Sequence, residues 1–323
     1  MSQAPSTLPS LYDERGTQFA WDATSLKMAS TCERMYFFSM IQCWEGSRSV
    51  HLVFGGHYAS ALELFHKLRA EGSTFDEAVY ATVHTTLINT WIHSLDADGE
   101  RVPGTGHEEL FDSKTKSREG LIRTIIWYLE EFRENDFTTF ILASGKAAVE
   151  LSFKIELAND IVYCGHIDRL TEYGGDKFVQ DQKTTGSPLS PYFFRGFDND
   201  IQMSGYTFAG KVMYNMPIKG VMIDAANIGP DYTRFMRGFT YRTEYTLNEW
   251  HDYMQILIAR IRNKTEIWRE TGSASVFEPN YTACGNYGGC AFRDVCSMIP
   301  SMRNRYLKGN FNKREQWNPL VER

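Results

Sequence analysis

No run in these 323 residues approaches the roughly 20 consecutive apolar positions that a membrane helix needs, so a spanning segment is not expected. Met1 to Arg15 lacks a basic start followed by an apolar core, so the expectation is a chain without a signal peptide that stays in the cytoplasm. Positive charge is also short, with 34 Lys and Arg against 40 Asp and Glu. A net charge of -6 argues against a protein that coats nucleic acid by charge alone, although a local basic patch can coexist with it. There is no G-x-G-x-x-G and no G-x-x-x-x-G-K-[ST], so neither a dinucleotide-dependent redox enzyme nor a helicase motor is written in this chain, and any ATPase would be a separate partner. Only 6 cysteines are present, and in a reducing compartment they are left to metal binding, catalysis or burial rather than disulfides. What the chain does have is a composition that is 42% apolar and 14% aromatic, enough for a full core.

The stretch CGHIDRLTEYGGDKFVQDQK, Cys164 to Lys183, reads as two strands joined by a Gly174-Gly175 turn. Residues two apart on a strand share a face, so Asp181 and Lys183 emerge together, Gln182 points away, and the first arm brings Asp168. Two carboxylates with a lysine beside one of them can hold a divalent cation and set an ammonium next to it. The same residues on an exposed hairpin would be an ordinary Asp/Lys pair.

Around this hairpin, residues 1–20 are polar and read as a loose arm, and SLKMASTCERMYFFSMI reads as one aromatic-rich helix carrying Cys32. VFGGHYASALELFHKLRA reads as a helix entered through Gly55-Gly56, presenting His57, Glu63 and His66 among Tyr58, Ala61, Leu62, Phe65 and Leu68. Two further helical patterns, separated by the polar stretch Asp96 to Lys116, make a helical insertion over about 72–140, and the alternation of AAVELSFKIEL begins the sheet. SPLSPYFFRGFDND reads as a loop, and IQMSGYTFAGKVM as a helix with Gln202 and Tyr206 one turn apart. A second hairpin turns at Gly229-Pro230-Asp231, and a capping box of Thr246 with Glu249 opens a long helix. Near the end, Cys284, Cys290 and Cys296 stand at Cys-x5-Cys-x5-Cys spacing, which favours a thiophilic metal. Tetrahedral Zn2+ and a 4Fe-4S cluster both need four ligands, and Cys32 can supply the fourth, while Cys43 and Cys164 read as core. Residues 301–323 carry six Lys or Arg against Glu315 and Glu322, with Tyr306, Phe311 and Trp317 between them, a basic tail that suits either a nucleic-acid strand or solvent.

GHIDRL followed by DQKTT resembles motifs II and III of the PD-(D/E)XK nucleases in their RecB-like branch, through Gly165, Asp168, Asp181, Lys183 and Thr184. Gln202 and Tyr206 are similar to the Gln-x-x-x-Tyr element that follows in that branch, and CERMYFF is similar to the cysteine segment of its iron-sulfur members. Motif I, usually Gly-x-x-x-His-x-x-Leu-Glu, aligns on Gly55 and Leu62-Glu63; Ala59 then stands in the histidine's place and His57 comes two residues early, about 200° around the helix. The resemblance implies an α/β restriction-endonuclease-like fold, a mixed central sheet flanked by helices, with a helical insertion and an iron-sulfur-closed C-terminal region. It implies one nuclease domain over 21–300 with a cysteine cluster at 284–296. It further implies Mg2+ or Mn2+ on Asp168, Asp181 and Glu63, with the Gln182 carbonyl and, less directly, His57 as further ligands. Lys183 would then act on the attacking water or the phosphoryl oxygens, and Gln202 and Tyr206 would position the DNA. The four cysteines Cys32, Cys284, Cys290 and Cys296 would carry the 4Fe-4S cluster, with Zn2+ as the alternative. The implied activity is metal-dependent DNA hydrolysis, as an exonuclease on ends or single strands in phage or bacterial recombination, repair or defence, with a helicase or recombinase as a separate chain. The alternative is a nuclease-fold DNA-binding module without turnover.

Overall fold

The computed structural model describes residues 17–46, 49–94, 102, 105–109, 115–134, 137–158 and 160–320. The arm at 1–16, most of the polar stretch at 96–116 and residues 321–323 lie outside them. The chain forms two compact units, one of Arg48–Leu151 and His166–Arg242, the other of Met1–Ser47, Ser152–Gly165 and Thr243–Arg323.

In the first of these units, three helices, α1 (Val50–Ala70), α2 (Phe75–Asn89) and α3 (Arg118–Glu131), precede the sheet. Helix α1 is not entered at Gly55-Gly56 as the sequence pattern implies. It starts at Val50 because the Ser49 side chain caps the backbone of His51, and the two glycines sit inside it. Phe54, Tyr58, Ala61, Leu62 and Phe65 recur every three or four residues and bury against Leu121, Ile125 and Tyr128 of α3.

Strands β1 (Val149–Ala158), β2 (Ile161–Tyr173) and β3 (Asp176–Thr185) follow, the last two joined by the Gly174-Gly175 turn that the sequence indicates. Both glycines take positive φ, 58° and 84°, which a two-residue hairpin of this hand requires. Helix α4 (Ile201–Tyr214) then leads into β4 (Ile218–Ile228) and β5 (Thr233–Tyr241). β3 runs antiparallel to β2 and parallel to β4, and β4 runs antiparallel to β5, so the sheet is mixed. β4 is buried along its length except at Lys219, the pattern of a central strand covered on both faces. Behind it lies a polar knot: Asp224 accepts hydrogen bonds from Tyr128 at 2.5 Å, Gln180 at 2.7 Å and Arg237 at 3.1 Å. The segment expected as an open loop after Lys183 contains a short helix, Pro191–Arg195, because Ser190 caps it and Pro191 is preset for a first turn.

The second unit is built on α5 (Glu244–Thr271). Its cap is Thr243 reciprocated by Thr246, three residues before the pair expected from sequence, since Thr243 already has the extended backbone of a cap. The single helix expected over Ser25 to Ile41 is broken at Cys32, whose φ and ψ of -162° and 111° are extended, and it ends in a π-helical turn at Phe37–Ile41. The loose arm expected to reach residue 20 ends earlier: Thr17 and Gln18 are buried, and Ala20 and Trp21 pair in parallel with Val162 and Tyr163. Phe37, Phe38, Trp44, Phe277, Phe292, Val295 and Leu307 form this unit's aromatic core. The segment read as a basic tail is folded, with a helix at Pro300–Asn310, Asn312 and Lys313 paired to Glu45 and Trp44, and Trp317 donating to Asp22 at 3.2 Å. No helix among the described residues is long and apolar enough to cross a membrane.

Candidate functional site

The β2–β3 hairpin and the first turn of α4 place four of the anticipated side chains in one line. The Lys183 ammonium lies 2.6 Å from Asp181 and donates to Gln202 at 3.2 Å, and Gln202 donates in turn to the Tyr206 hydroxyl at 2.9 Å. Two local features set this up. Strand alternation puts Asp181 and Lys183 on one face, and the Asp200 side chain caps α4 by accepting from the Gln202 and Met203 amides, which pins Gln202 in the turn facing the strand. The neighbouring strand brings Asp168, whose Oδ2 accepts the Gln182 amide at 3.1 Å.

Burial pushes the Asp168 carboxyl up to about 7; the Asp181 charge adds to this, Lys183 and the Gln182 amide oppose it, and Glu150 adds a smaller push. Burial alone would depress Lys183, but Asp181 and Asp168 outweigh it and hold the ammonium above its ordinary range. The site therefore pairs a lasting positive charge with a carboxyl able to exchange a proton near neutrality, a combination suited to moving a proton while stabilising an anionic centre.

Glu63 borders a small pocket together with Asp168, Gln182 and Glu150. Ala59 borders it too, as the helical register of Glu63 requires, whereas His57 does not; its ring lies 2.6 Å from Glu109. His66 also reaches this pocket and contacts Arg169 at 2.7 Å. Burial, then Arg169 and Arg237, hold its pKa well below the usual value, so it is neutral at physiological pH. Strict alternation in AAVELSFKIEL gives no sign that Glu150 belongs to the pocket. In the fold Ala148, Val149 and Glu150 are all buried in succession, and Glu150 takes the left-handed backbone at φ 50°, which turns its side chain inward. No alternation rule signals such an irregularity.

The expected metal centres require correction. Among the described residues no group of three or more His, Cys, Asp or Glu is placed so that it could hold a metal ion. This overturns both the Mg2+ or Mn2+ ligand set of Glu63, Asp168, Asp181, Gln182 and His57 and the 4Fe-4S or Zn2+ site at Cys32, Cys284, Cys290 and Cys296. The side chains are otherwise engaged: Glu63 pairs with Lys67 one turn along α1, and Asp181 with Lys183. Cys32 accepts the Asn280 amide at 3.4 Å. Burial, ahead of smaller pushes from the neighbouring cysteines, raises the Cys290 and Cys296 thiols. All six cysteines are free thiols, and Cys164 is buried with its thiol pushed up to about 12 by that burial.

No curated protein matches the chain. Among solved structures it is similar to that of a candidate exonuclease from Eubacterium rectale, at 12% identity and a TM-score of 0.46, covering 94% of this chain and 97% of that one. It is also similar to that of a protein named SSO0001, at 11% identity and a TM-score of 0.30, covering 78% of this chain and 85% of that one. A profile of the PD-(D/E)XK nuclease superfamily matches residues 20–297, which take in the whole Asp168, Asp181 and Lys183 hairpin with its mixed sheet, and the chain therefore belongs to the PD-(D/E)XK nuclease superfamily.

Proposed function

We propose that the chain is a DNA phosphodiester hydrolase of the RecB-like branch, acting as an exonuclease on DNA ends or single strands in recombination, repair or defence. The observation that carries this reading is the Asp181, Lys183, Gln202 and Tyr206 line beside Asp168. In the reaction a water oxygen bonds to phosphorus, its proton passes to the carboxylate pair, and the phosphorus bond to the leaving sugar oxygen breaks as that oxygen takes a proton from solvent to become a hydroxyl. Lys183 stabilises the charge that grows on the phosphoryl oxygens, an interaction strongest in the transition state. Gln202 and Tyr206 hold the DNA backbone through polar contacts.

The test is cleavage of labelled single- and double-stranded DNA, linear and circular, by the wild type, Asp181→Asn and Lys183→Ala. Each substitution should lower turnover by about 100-fold or more, well beyond the tenfold that about 1.4 kcal/mol represents, with DNA affinity changed by less than about threefold. Unchanged turnover in either variant would remove the assignment. A second reading, a DNA-binding module without turnover, draws on Ala59 standing where the family has a histidine and on the absence, among the described residues, of a group able to hold a metal. DNA binding with no cleavage of any substrate by the wild type would favour it.

A further inference from the structure

A second cavity, of about 330 Å3, lies in the same unit between α1, α3 and the strand that carries Asp168. Its walls are aromatic, with Phe65, Phe75, Phe132 and Phe137 among them, and its charged lining is basic, Arg69, Arg133 and Arg169 with no carboxylate, beside the neutral polar groups of His66, Tyr128, Thr138 and Thr139. Arg169 is only 3% exposed, and its guanidinium donates to the Phe137 carbonyl at 2.7 Å and meets His66 Nε2 at 2.7 Å. Both partners are neutral. Its Nε has no hydrogen-bond partner, and no carboxylate among the described residues lies within ion-pair distance of it.

A buried cation held only by neutral acceptors is costly unless an anion completes the site. His66 cannot share the charge, because it accepts from the guanidinium and is held neutral. At the rim, Arg133 is already matched by Asp76 and Glu130, whereas Arg69 donates to the Ser73 carbonyl and has no carboxylate partner among the described residues. The cavity thus offers two guanidiniums with no carboxylate in ion-pair contact among the described residues, one deep, which feels Asp224 only at longer range, and one at the mouth, beside aromatic rings. Its volume is at the lower end of the roughly 300 to 1,000 Å3 typical of small-molecule sites.

We propose that this cavity binds a mononucleotide, its phosphomonoester on Arg169 and Arg69 and its base against the phenylalanines. Guanidinium forks match phosphate oxygens, and aromatic faces take any base by stacking. The ligand is a free nucleotide or the phosphorylated terminal nucleotide of a DNA end. The cavity shares His66 and Arg169 with the pocket beside Asp168, but nucleotide binding to it is measured without turnover at that site.

The experiment is titration calorimetry of the full chain with thymidine 5′-monophosphate, thymidine and inorganic phosphate, repeated on Arg69→Glu and on Lys219→Glu. Lys219 pairs with Asp176 away from the cavity and serves as the control, and Arg69 is exposed, so both variants should fold, which thermal melts verify. The nucleotide should bind saturably, at least about tenfold tighter than thymidine or phosphate alone, and Arg69→Glu should weaken it by about tenfold or more while Lys219→Glu does not. Equal affinity for nucleotide and nucleoside, no saturation, or an Arg69→Glu protein that binds as the wild type does would overturn the proposal. Competition by a 5′-phosphorylated oligonucleotide, but not by its 5′-hydroxyl counterpart, would support it with a DNA end as the source; competition by neither would support it with the free nucleotide.

Discussion

At the scale of single residues, the unit that holds the site is a case of charges placed against solvation. His66 shows this most simply. Its folded pKa is depressed, so above about 6.5 both folded and unfolded chains carry it neutral, and its neutral contact with Arg169 stabilises fully. Below that pH the unfolded chain takes up a proton that the folded chain refuses, and stability falls as the pH drops, by at most about 1.4 kcal/mol per pH unit for this one group. His66→Gln keeps an acceptor for Arg169 but cannot titrate. Urea melts at pH 7 and pH 5 should therefore show a smaller loss for His66→Gln than for the wild type. An equal loss in both proteins would mean that other groups carry the acid sensitivity. The same logic explains why the Asp181 and Lys183 variants are informative: the two charges lie 2.6 Å apart, so each substitution strands the other, and affinity and turnover must be read separately.

Among the elements, β4 and β5 approach so closely that one glycine is required between them. Gly220 in β4 lies where a Cβ would come within 2.1 Å of the Thr240 carbonyl and 2.9 Å of the Tyr241 Cα, both backbone atoms that no side-chain rotation can relieve. Gly220→Ala must push β4 from β5, and a cost on the order of 2 to 4 kcal/mol is expected from overpacking of this kind. A thermal melt within about 1 °C of the wild type would show that the strands can separate freely there. Helix α1 is bound to the sheet by a gentler version of the same device, since a Cβ on Gly55 would meet the Thr184 hydroxyl at 3.3 Å. That close approach gives the motif I glycine a physical role: it packs the Glu63 helix onto the strand that carries Lys183. The sequence pattern placed the glycine at a helix entrance because glycine breaks helices in isolation, whereas here Ser49 starts the helix and tertiary packing keeps the glycine inside it.

For the molecule as a whole, the net charge of -6 limits how DNA can be held. Non-specific attraction by the whole surface is weak, so affinity rests on a few local cations. Each phosphate contact to single-stranded DNA contributes about -0.7 to the slope of log affinity against log salt, and three to five contacts predict a slope of roughly -2 to -4. Fluorescence anisotropy of a labelled single strand between about 50 and 300 mM salt measures it, and a slope near -8 would point to a broad basic face.

The sequence alone determined the central hairpin and which of its side chains share a face. The Gly174-Gly175 turn, the alternation that sets Asp181 beside Lys183, and the one-turn spacing of Gln202 and Tyr206 depend only on residues close together in the chain. Tertiary structure decided the rest. Glu150 joined the pocket through a left-handed backbone residue that periodicity cannot signal, and His57 was drawn to Glu109 by a segment 52 residues away. The cysteines that spacing grouped are set by burial and by contacts such as Asn280 on Cys32, 248 residues apart. Spacing constrains which side chains share a face of one element, but the partner a side chain finds depends on how separate elements pack, and that is settled by burial and electrostatics across the fold.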